Sequence, residues 1–302
     1  MATVIHPASL PESALLAHFP PSPEGWRSFP APAKLNLFLH IIGRRADGYH
    51  LLQSVFQLVD LNDTIELRVR TDQDVVHHNP LPGVDPQDDL TVRAARLLQQ
   101  HANISAGVDI RVEKRIPMGG GMGGGSSDAA TVLLALNQLW GVKLSRQALM
   151  TLGLKLGADV PFFIFGRNAF VEGVGEIMSA YDTPDAWFAV LHPQVHVSTP
   201  AIFKDERLTR NTPSITMRGL NVAATRNDLQ AVAMSQQPRI AECLKWLSQF
   251  GPARMTGSGS CVFTICASQS DADNVISSTP EEMTGFAIRS IAQHKLREFA
   301  SE

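Results

Sequence analysis

Cysteine, tyrosine and clustered charge are all scarce in this chain, and each scarcity closes off a class of protein. Three cysteines, Cys243, Cys261 and Cys266, make an odd set without a CxxC pair, so neither a disulfide framework nor a thiolate zinc site is expected. Cys261 and Cys266 sit in the apolar run CVFTIC, where free thiols act as small core residues, and a reducing compartment follows. Lys and Arg number 26 against 29 Asp and Glu, a net charge of −3 with no basic block, which argues against a nucleic-acid partner. No apolar run reaches about 18 residues, so no membrane span is expected. The chain also lacks a Gly-Lys pair, which excludes a Walker phosphate loop, and lacks the HRD and DFG tripeptides of protein kinases.

Glycine is what it has instead. Six of the seven residues from Gly119 to Gly125 are glycine, inside PMGGGMGGGSSDAATVLLALNQLW at 117–140. Ahead of the loop Val108, Ile110 and Val112 alternate as in a strand, and behind it Ala129, Ala130, Val132, Leu133, Leu136, Leu139 and Trp140 recur at helical spacing. The reading is strand, glycine loop, serine N-cap and buried helix. Glycines bring backbone N–H groups close to a ligand, and a helix N-terminus adds positive potential, a combination suited to phosphate. Pro117, Met118, Gly119, Gly120, Gly121, Met122, Gly123, Gly124, Gly125, Ser126 and Ser127 are therefore candidate nucleotide-phosphate contacts. A literal GxGxxG at Gly119, Gly121 and Gly124 raises a dinucleotide-dependent oxidoreductase as an alternative, but nothing acidic lies between Asp128 and Asp159, where such a fold needs its ribose-binding acid.

Along the chain, residues 1–30 hold most of a seven-proline cluster and lack the layout of a secretory signal or transit peptide; they read as a mobile extension. Ordered structure is expected from Ala33, where Leu35, Leu37, Leu39 and Ile41 alternate with Lys34, Asn36, Phe38 and His40. Strands are expected at Val55–Val59 and Thr64–Val69, a polar loop over 72–88 with His77 and His78 solvated, and a helix over 90–100. Ser145 can cap a helix stopping by Gly157, and GADVPFFIFG and 169–174 read as strands. A fresh start near Pro184 divides the chain into lobes 31–184 and 185–302 of an α+β protein. In the second lobe a helix falls at 240–250, a short one at 270–277 and a last strand at 286–291.

Phosphoryl transfer to an alcohol asks for a carboxylate to take the hydroxyl proton and a cation beside the transferred group. Asp159, before Val-Pro, and Lys34, at a strand start, are candidates for those places. Tyr49 and His50 follow a DG turn and offer an aromatic platform and a hydrogen-bonding imidazole for a base, with Phe203 as a possible opposite face. TGSGSC at 256–261 is read as a second wall of the phosphate site. His192 and His196 form HxxxH, but Pro193 between them argues against a shared helix and a zinc site, so no chelating metal site is expected.

The segments PAKLNLFLHIIGRRADGYH, PMGGGMGGGSSDAA, LGADVPFFIFG, AFVEGVGE, VSTPAIFKDERLTRNTP and MTGSGSCVF, in that order, resemble the GHMP small-molecule kinases from about residue 31 onward. ADGYH and TPAIFKD resemble the branch acting on 4-diphosphocytidyl-2-C-methyl-D-erythritol. That resemblance implies a two-lobed fold, with an N-terminal lobe like ribosomal protein S5 domain 2, a C-terminal ferredoxin-like lobe, and the site between them. It implies phosphorylation of the 2-hydroxyl of a cytidine diphosphate-linked methylerythritol by ATP and Mg2+, in the non-mevalonate isoprenoid route. Matched residue by residue, Lys34 and Asp159 become the catalytic pair and 117–127 the ATP loop. Tyr49 and Phe203 would sandwich cytosine, His50 would read its edge, and Asn36 and Thr199 would adjoin the substrate. A cytoplasmic monomer or weak homodimer is expected. Another small-alcohol kinase of the same superfamily stays open as the alternative, and a non-catalytic RNA-binding relative of the S5 fold is disfavoured by charge.

Overall fold

A computed structural model describes residues 14–85 and 87–302. The first sheet is organised by two long strands, β1 (Arg27–Arg44) and β2 (His50–Arg70), paired antiparallel. On its other edge β2 pairs with β4 (Gly107–Glu113) near one end and β5 (Ala169–Glu172) near the other; β3 (Val75–His77) adds parallel to β4 and β6 (Ile177–Ala180) antiparallel to β5. Helices α1 (Leu90–Ala102), α2 (Gly124–Leu139), α3 (Arg146–Leu154) and α4 (Val160–Phe165) belong to this lobe. α2 is buried over most of its length, so its apolar residues surround the axis as expected of a central helix.

The second sheet starts with β7 (Trp187–His192). Its remaining strands are β8 (Ala253–Met255), β9 (Val262–Cys266) and β10 (Thr284–Arg289), in the antiparallel order β10-β7-β9-β8. α5 (Thr199–Lys204), α6 (Gln230–Gln236), α7 (Pro238–Leu247) and α8 (Gln269–Ser277) complete the lobe. Two sheets with their own helices make this a mixed α+β protein of two lobes.

A shared core fastens the lobes together. Leu35, Phe38, Val55, Ile116 and Met122 pack with Phe188, Cys261 and Phe263, all of them buried. β1 is the mechanical link: its register against β2 shifts between Asn36 and Leu39, and Leu39, still paired with Ser54, also exchanges backbone hydrogen bonds with Arg226 and Asp228. Residues 31–41 of β1 are all buried, so both faces of the strand are covered there.

Several local expectations are corrected. Order is present before Ala33: β1 begins at Arg27, Leu16 and Trp26 are buried, and Phe19 packs against Phe29 and Phe299 at centroid distances of 5.2 and 5.6 Å. The reading of a mobile extension is thus overturned over 14–30, where the few aromatics outweigh the prolines; residues 1–13 lie outside the described residues. The two short strands expected between 55 and 69 are one, because Asp63 within it is buried and satisfied by the N–H groups of Arg115 and Ile116 at 2.6 and 2.8 Å. GADVPFFIFG forms α4 and not a strand: Pro161 sits in the first turn and Gly166 closes the helix at φ 69°. A short, wholly apolar run carries no period, so sequence alone does not separate the two. The 72–88 loop contains β3, and its histidines are docked and not freely solvated, His77 fully and His78 with 35% of its side chain exposed. The His77 side chain is buried beside Asp89 at 3.2 Å, and His78 meets Asp109 at 2.8 Å.

Candidate active site

The glycine loop holds main chain where a side chain could not go. Gly121 and Gly123 have φ of 74° and 75°; a Cβ on Gly121 would lie 2.4 Å from the Thr256 carbonyl oxygen, and one on Gly123 2.9 Å from the Phe163 ring. The loop is clamped between lobes: the Lys34 N–H donates to Met122 O at 3.0 Å, and the Ser260 and Cys261 N–H groups donate to Gly119 O and Gly120 O at 3.2 and 3.0 Å. TGSGSC therefore stands against the loop, with Gly257, Ser258 and Gly259 on the same cleft. Gly123 itself, and not a serine, is the N-cap of α2, so the expected serine cap is corrected: the helix starts at Gly124 without a side-chain cap. The uncapped first turn leaves backbone N–H groups and the positive helix end free for an anion.

Lys34 is buried, and its ammonium has three neighbours. Asn36 Oδ1 accepts its hydrogen bond, Asp159 Oδ2 lies 3.4 Å away, and the Phe56 ring centroid lies 4.7 Å away. Asn36 is oriented in turn, its Nδ2 donating to Ser54 Oγ at 3.0 Å and its N–H to Thr256 Oγ1 at 2.9 Å. Asp159 is the residue before α4 and makes no cap hydrogen bond with its side chain, so its carboxylate is free to face Lys34. An ion pair drawn out of water interacts more strongly than an exposed one and needs the further hydrogen bond that Asn36 supplies.

These groups line one open cleft of about 1130 Å³ between the lobes, together with Tyr49, His50, Thr199, Phe203 and residues 117–126. Ser127 is the exception among the expected site residues. It is wholly buried inside α2, does not line the cleft, and its hydroxyl has no hydrogen-bond partner among the described residues. Thr199 Oγ1 and Ser258 Oγ share a hydrogen bond at 2.7 Å. Tyr49 is 65% exposed, whereas the His50 and Phe203 rings stack, with centroids 4.9 Å apart and planes 28° from parallel. His192 ends β7 and His196 follows in the loop against Gly119, not on a common helix.

Two cationic sites escaped sequence reasoning. Lys114 also lines the cleft, bound to Asp63 and, at 2.7 Å, to Asp128 Oδ2. Burial alone would depress the Lys114 ammonium, but the Asp128 and Asp63 charges hold its pKa above the usual value. Burial and the Asp63 charge, against the pull of Lys114, push the Asp128 carboxyl up to about 7. Arg210 is the other, with Nε 3.1 Å from His50 Nε2. A lysine beside an Ile-Pro strand end and an arginine in a polar run carry no local mark of either contact. No group of three metal-ligating side chains is present among the described residues. No helix there is long and apolar enough to cross a membrane.

Comparison with known proteins follows the same two lobes. Residues 89–167 match the GHMP kinases N terminal domain and 210–284 match GHMP kinases C terminal. The chain is 55% identical over 276 residues to the 4-diphosphocytidyl-2-C-methyl-D-erythritol kinase of Thiobacillus denitrificans, covering 91% of this chain and 99% of that one. With the protein of the same name from Ralstonia pickettii the identity is 54% over 285 residues, covering 92% and 99%. Among solved structures, a 4-(cytidine 5'-diphospho)-2C-methyl-D-erythritol kinase superposes with TM-score 0.78 at 31% identity, over 87% of this chain and 98% of that chain. A homoserine kinase from Cytophaga hutchinsonii shares the fold alone, with TM-score 0.64 at 17% identity, over 91% and 98%.

Proposed function

The chain belongs to the GHMP kinases and, within them, to the 4-diphosphocytidyl-2-C-methyl-D-erythritol kinases, and from that premise we propose how its cleft works. It transfers the γ-phosphoryl group of ATP to the 2-hydroxyl of 4-diphosphocytidyl-2-C-methyl-D-erythritol, releasing ADP and the 2-phosphate, a step of isoprenoid precursor synthesis. The observation that carries the mechanism is the buried Lys34 ammonium beside Asp159 at the mouth of the glycine loop.

Residues 117–126 and the first turn of α2 hold the phosphates through backbone N–H groups. Asp159 takes the proton of the attacking hydroxyl. Lys34, 3.4 Å from that carboxylate, meets the charge on the transferring group, while Asn36 fixes the lysine in place. Magnesium enters with ATP. An ion that keeps waters and phosphate oxygens needs only one or two hard oxygen donors from the protein, and the Ser126 hydroxyl on the cleft wall fits that demand. When bound, it neutralises phosphate charge. The cytosine is held by Tyr49, His50 and Phe203, with Thr199 beside the substrate. An imidazole and a base joined edge to edge share one plane, so the nearly parallel Phe203 ring serves both.

The nucleotide and the catalytic pair belong to the lobe ending near 184, and substrate contacts are completed from 185–302. The working form is a cytoplasmic monomer or weak homodimer without nucleic-acid or membrane partners. The deciding experiment is ADP release with magnesium-ATP, comparing the cytidyl diphosphate substrate with free methylerythritol 4-phosphate. Turnover of the first and none of the second is expected; turnover of neither, with ATP bound, would overturn the assigned substrate.

A further inference from the structure

Arg210 is tied to the short helix that carries Phe203. Its Nη2 donates to Phe203 O and Asp205 O at 3.1 and 2.7 Å, and its Nη1 to Leu208 O at 3.1 Å. With the fork fixed there, Nε lies 3.1 Å from His50 Nε2. A guanidinium nitrogen has only N–H to offer, so His50 Nε2 must accept. A neutral imidazole that accepts at Nε2 carries its proton on Nδ1, which has no hydrogen-bond partner among the described residues. The surroundings agree: burial first, then the Arg210 and Arg44 charges, lower the His50 pKa from its ordinary value.

We propose that Arg210 is a positioning residue that fixes His50 as a neutral Nδ1–H donor, and that this donor selects cytosine over uracil. The selection rests on the cytidyl substrate assigned above. Cytosine N3 is a bare acceptor and takes the Nδ1–H hydrogen bond, whereas uracil N3 carries a hydrogen and would face donor with donor. Without the Arg210 Nε–H, the imidazole is free to move its proton to Nε2 and present an acceptor to uracil. The carbonyl bonds of the same guanidinium keep Phe203 parallel to the imidazole, so one residue sets both the stacking surface and the hydrogen-bond polarity of the pocket.

The test pairs two readouts on the full chain. Long-range proton–nitrogen NMR of histidine-labelled protein at pH 7.5 reports the tautomer. Steady-state kinetics compare cytidine-linked with uridine-linked methylerythritol diphosphate. In the wild type, His50 is expected as the neutral Nδ1–H form, with kcat/KM favouring the cytidyl compound by about 100-fold or more. Arg210→Met is expected to mix the tautomers and reduce that preference at least about tenfold, through KM and not kcat, because the base lies away from the reacting hydroxyl. An Nε2–H or protonated His50 in the wild type overturns the proposal even if the variant fails to fold, and so does undiminished preference in a folded Arg210→Met protein. Turnover of neither compound by the wild type would instead overturn the substrate assignment, with the spectrum still deciding the tautomer.

Discussion

Lys34 Nζ stands 3.4 Å from Asp159 Oδ2, one on the long first strand and the other at the start of a six-residue helix. Neither group has the other as a sequence neighbour, so the contact exists only through the tertiary packing that holds α4 against α2 and α3. Asp159→Asn preserves the shape and removes the proton acceptor. Turnover is expected to fall by about 10²–10⁴-fold with ATP affinity nearly unchanged. ADP-release kinetics alongside a nucleotide titration would measure both, and near-normal kcat would remove Asp159 from the chemistry.

Gly121 has no room for a side chain, and Gly125 has. A Cβ on Gly121 would meet the Thr256 carbonyl at 2.4 Å from a left-handed backbone, whereas on Gly125 it would touch Leu90 Cδ1 at an ordinary 3.5 Å. Gly121→Ala is expected to cost about 1–3 kcal/mol and to weaken ATP binding, since the loop must leave the 256–261 wall. Gly125→Ala, within a helix, is expected to be neutral or stabilising by up to about 1 kcal/mol. Thermal unfolding of the two variants gives the comparison, and equal losses would refute the asymmetry.

Ser127 buries a hydroxyl without a partner. Replacing it by alanine removes a polar group that has lost its water, so Ser127→Ala is expected to hold or raise the Tm. The KM for ATP should stay within about twofold, because the hydroxyl lies away from the cleft. A large rise in KM would return Ser127 to the phosphate site.

His294 is expected to shape acid stability. It is buried, accepts the Leu296 N–H at Nδ1 over 2.9 Å, and burial pushes its pKa down to about 3 from 6.5. The unfolded chain therefore binds a proton that the folded chain refuses. Its contribution is present above pH 6.5 and is lost as pH falls toward 3, at up to about 1.4 kcal/mol per pH unit. His294→Asn, whose Oδ1 can still accept that N–H, should flatten the stability curve between pH 6 and 4 relative to wild type. Parallel curves in a chemical-denaturation series would exclude the histidine as the cause.

The glycine loop was legible because its meaning is local: positive φ, close approach and a following apolar helix are all properties of adjacent residues. Lys34, Asp159, Tyr49, His50 and Phe203 stood out by type and by resemblance, and they share one cleft with the loop. What escaped was of two kinds. α4 and the buried His77 were misread because a short apolar run has no period and a polar loop looks alike whether docked or solvated. Lys114 and Arg210 were missed because their partners come from distant parts of the chain.

The sequence by itself determined the family, the two-lobed α+β plan and the phosphate-binding loop, since motif order and glycine placement are written in the chain. Only the tertiary structure decided that Gly123 and not a serine heads α2, that Ser127 is sealed inside it, and that Arg210 reaches His50. Those outcomes depend on which side chains packing leaves room for and which polar atoms it leaves without water. Both are settled between distant segments, where local pattern carries no information.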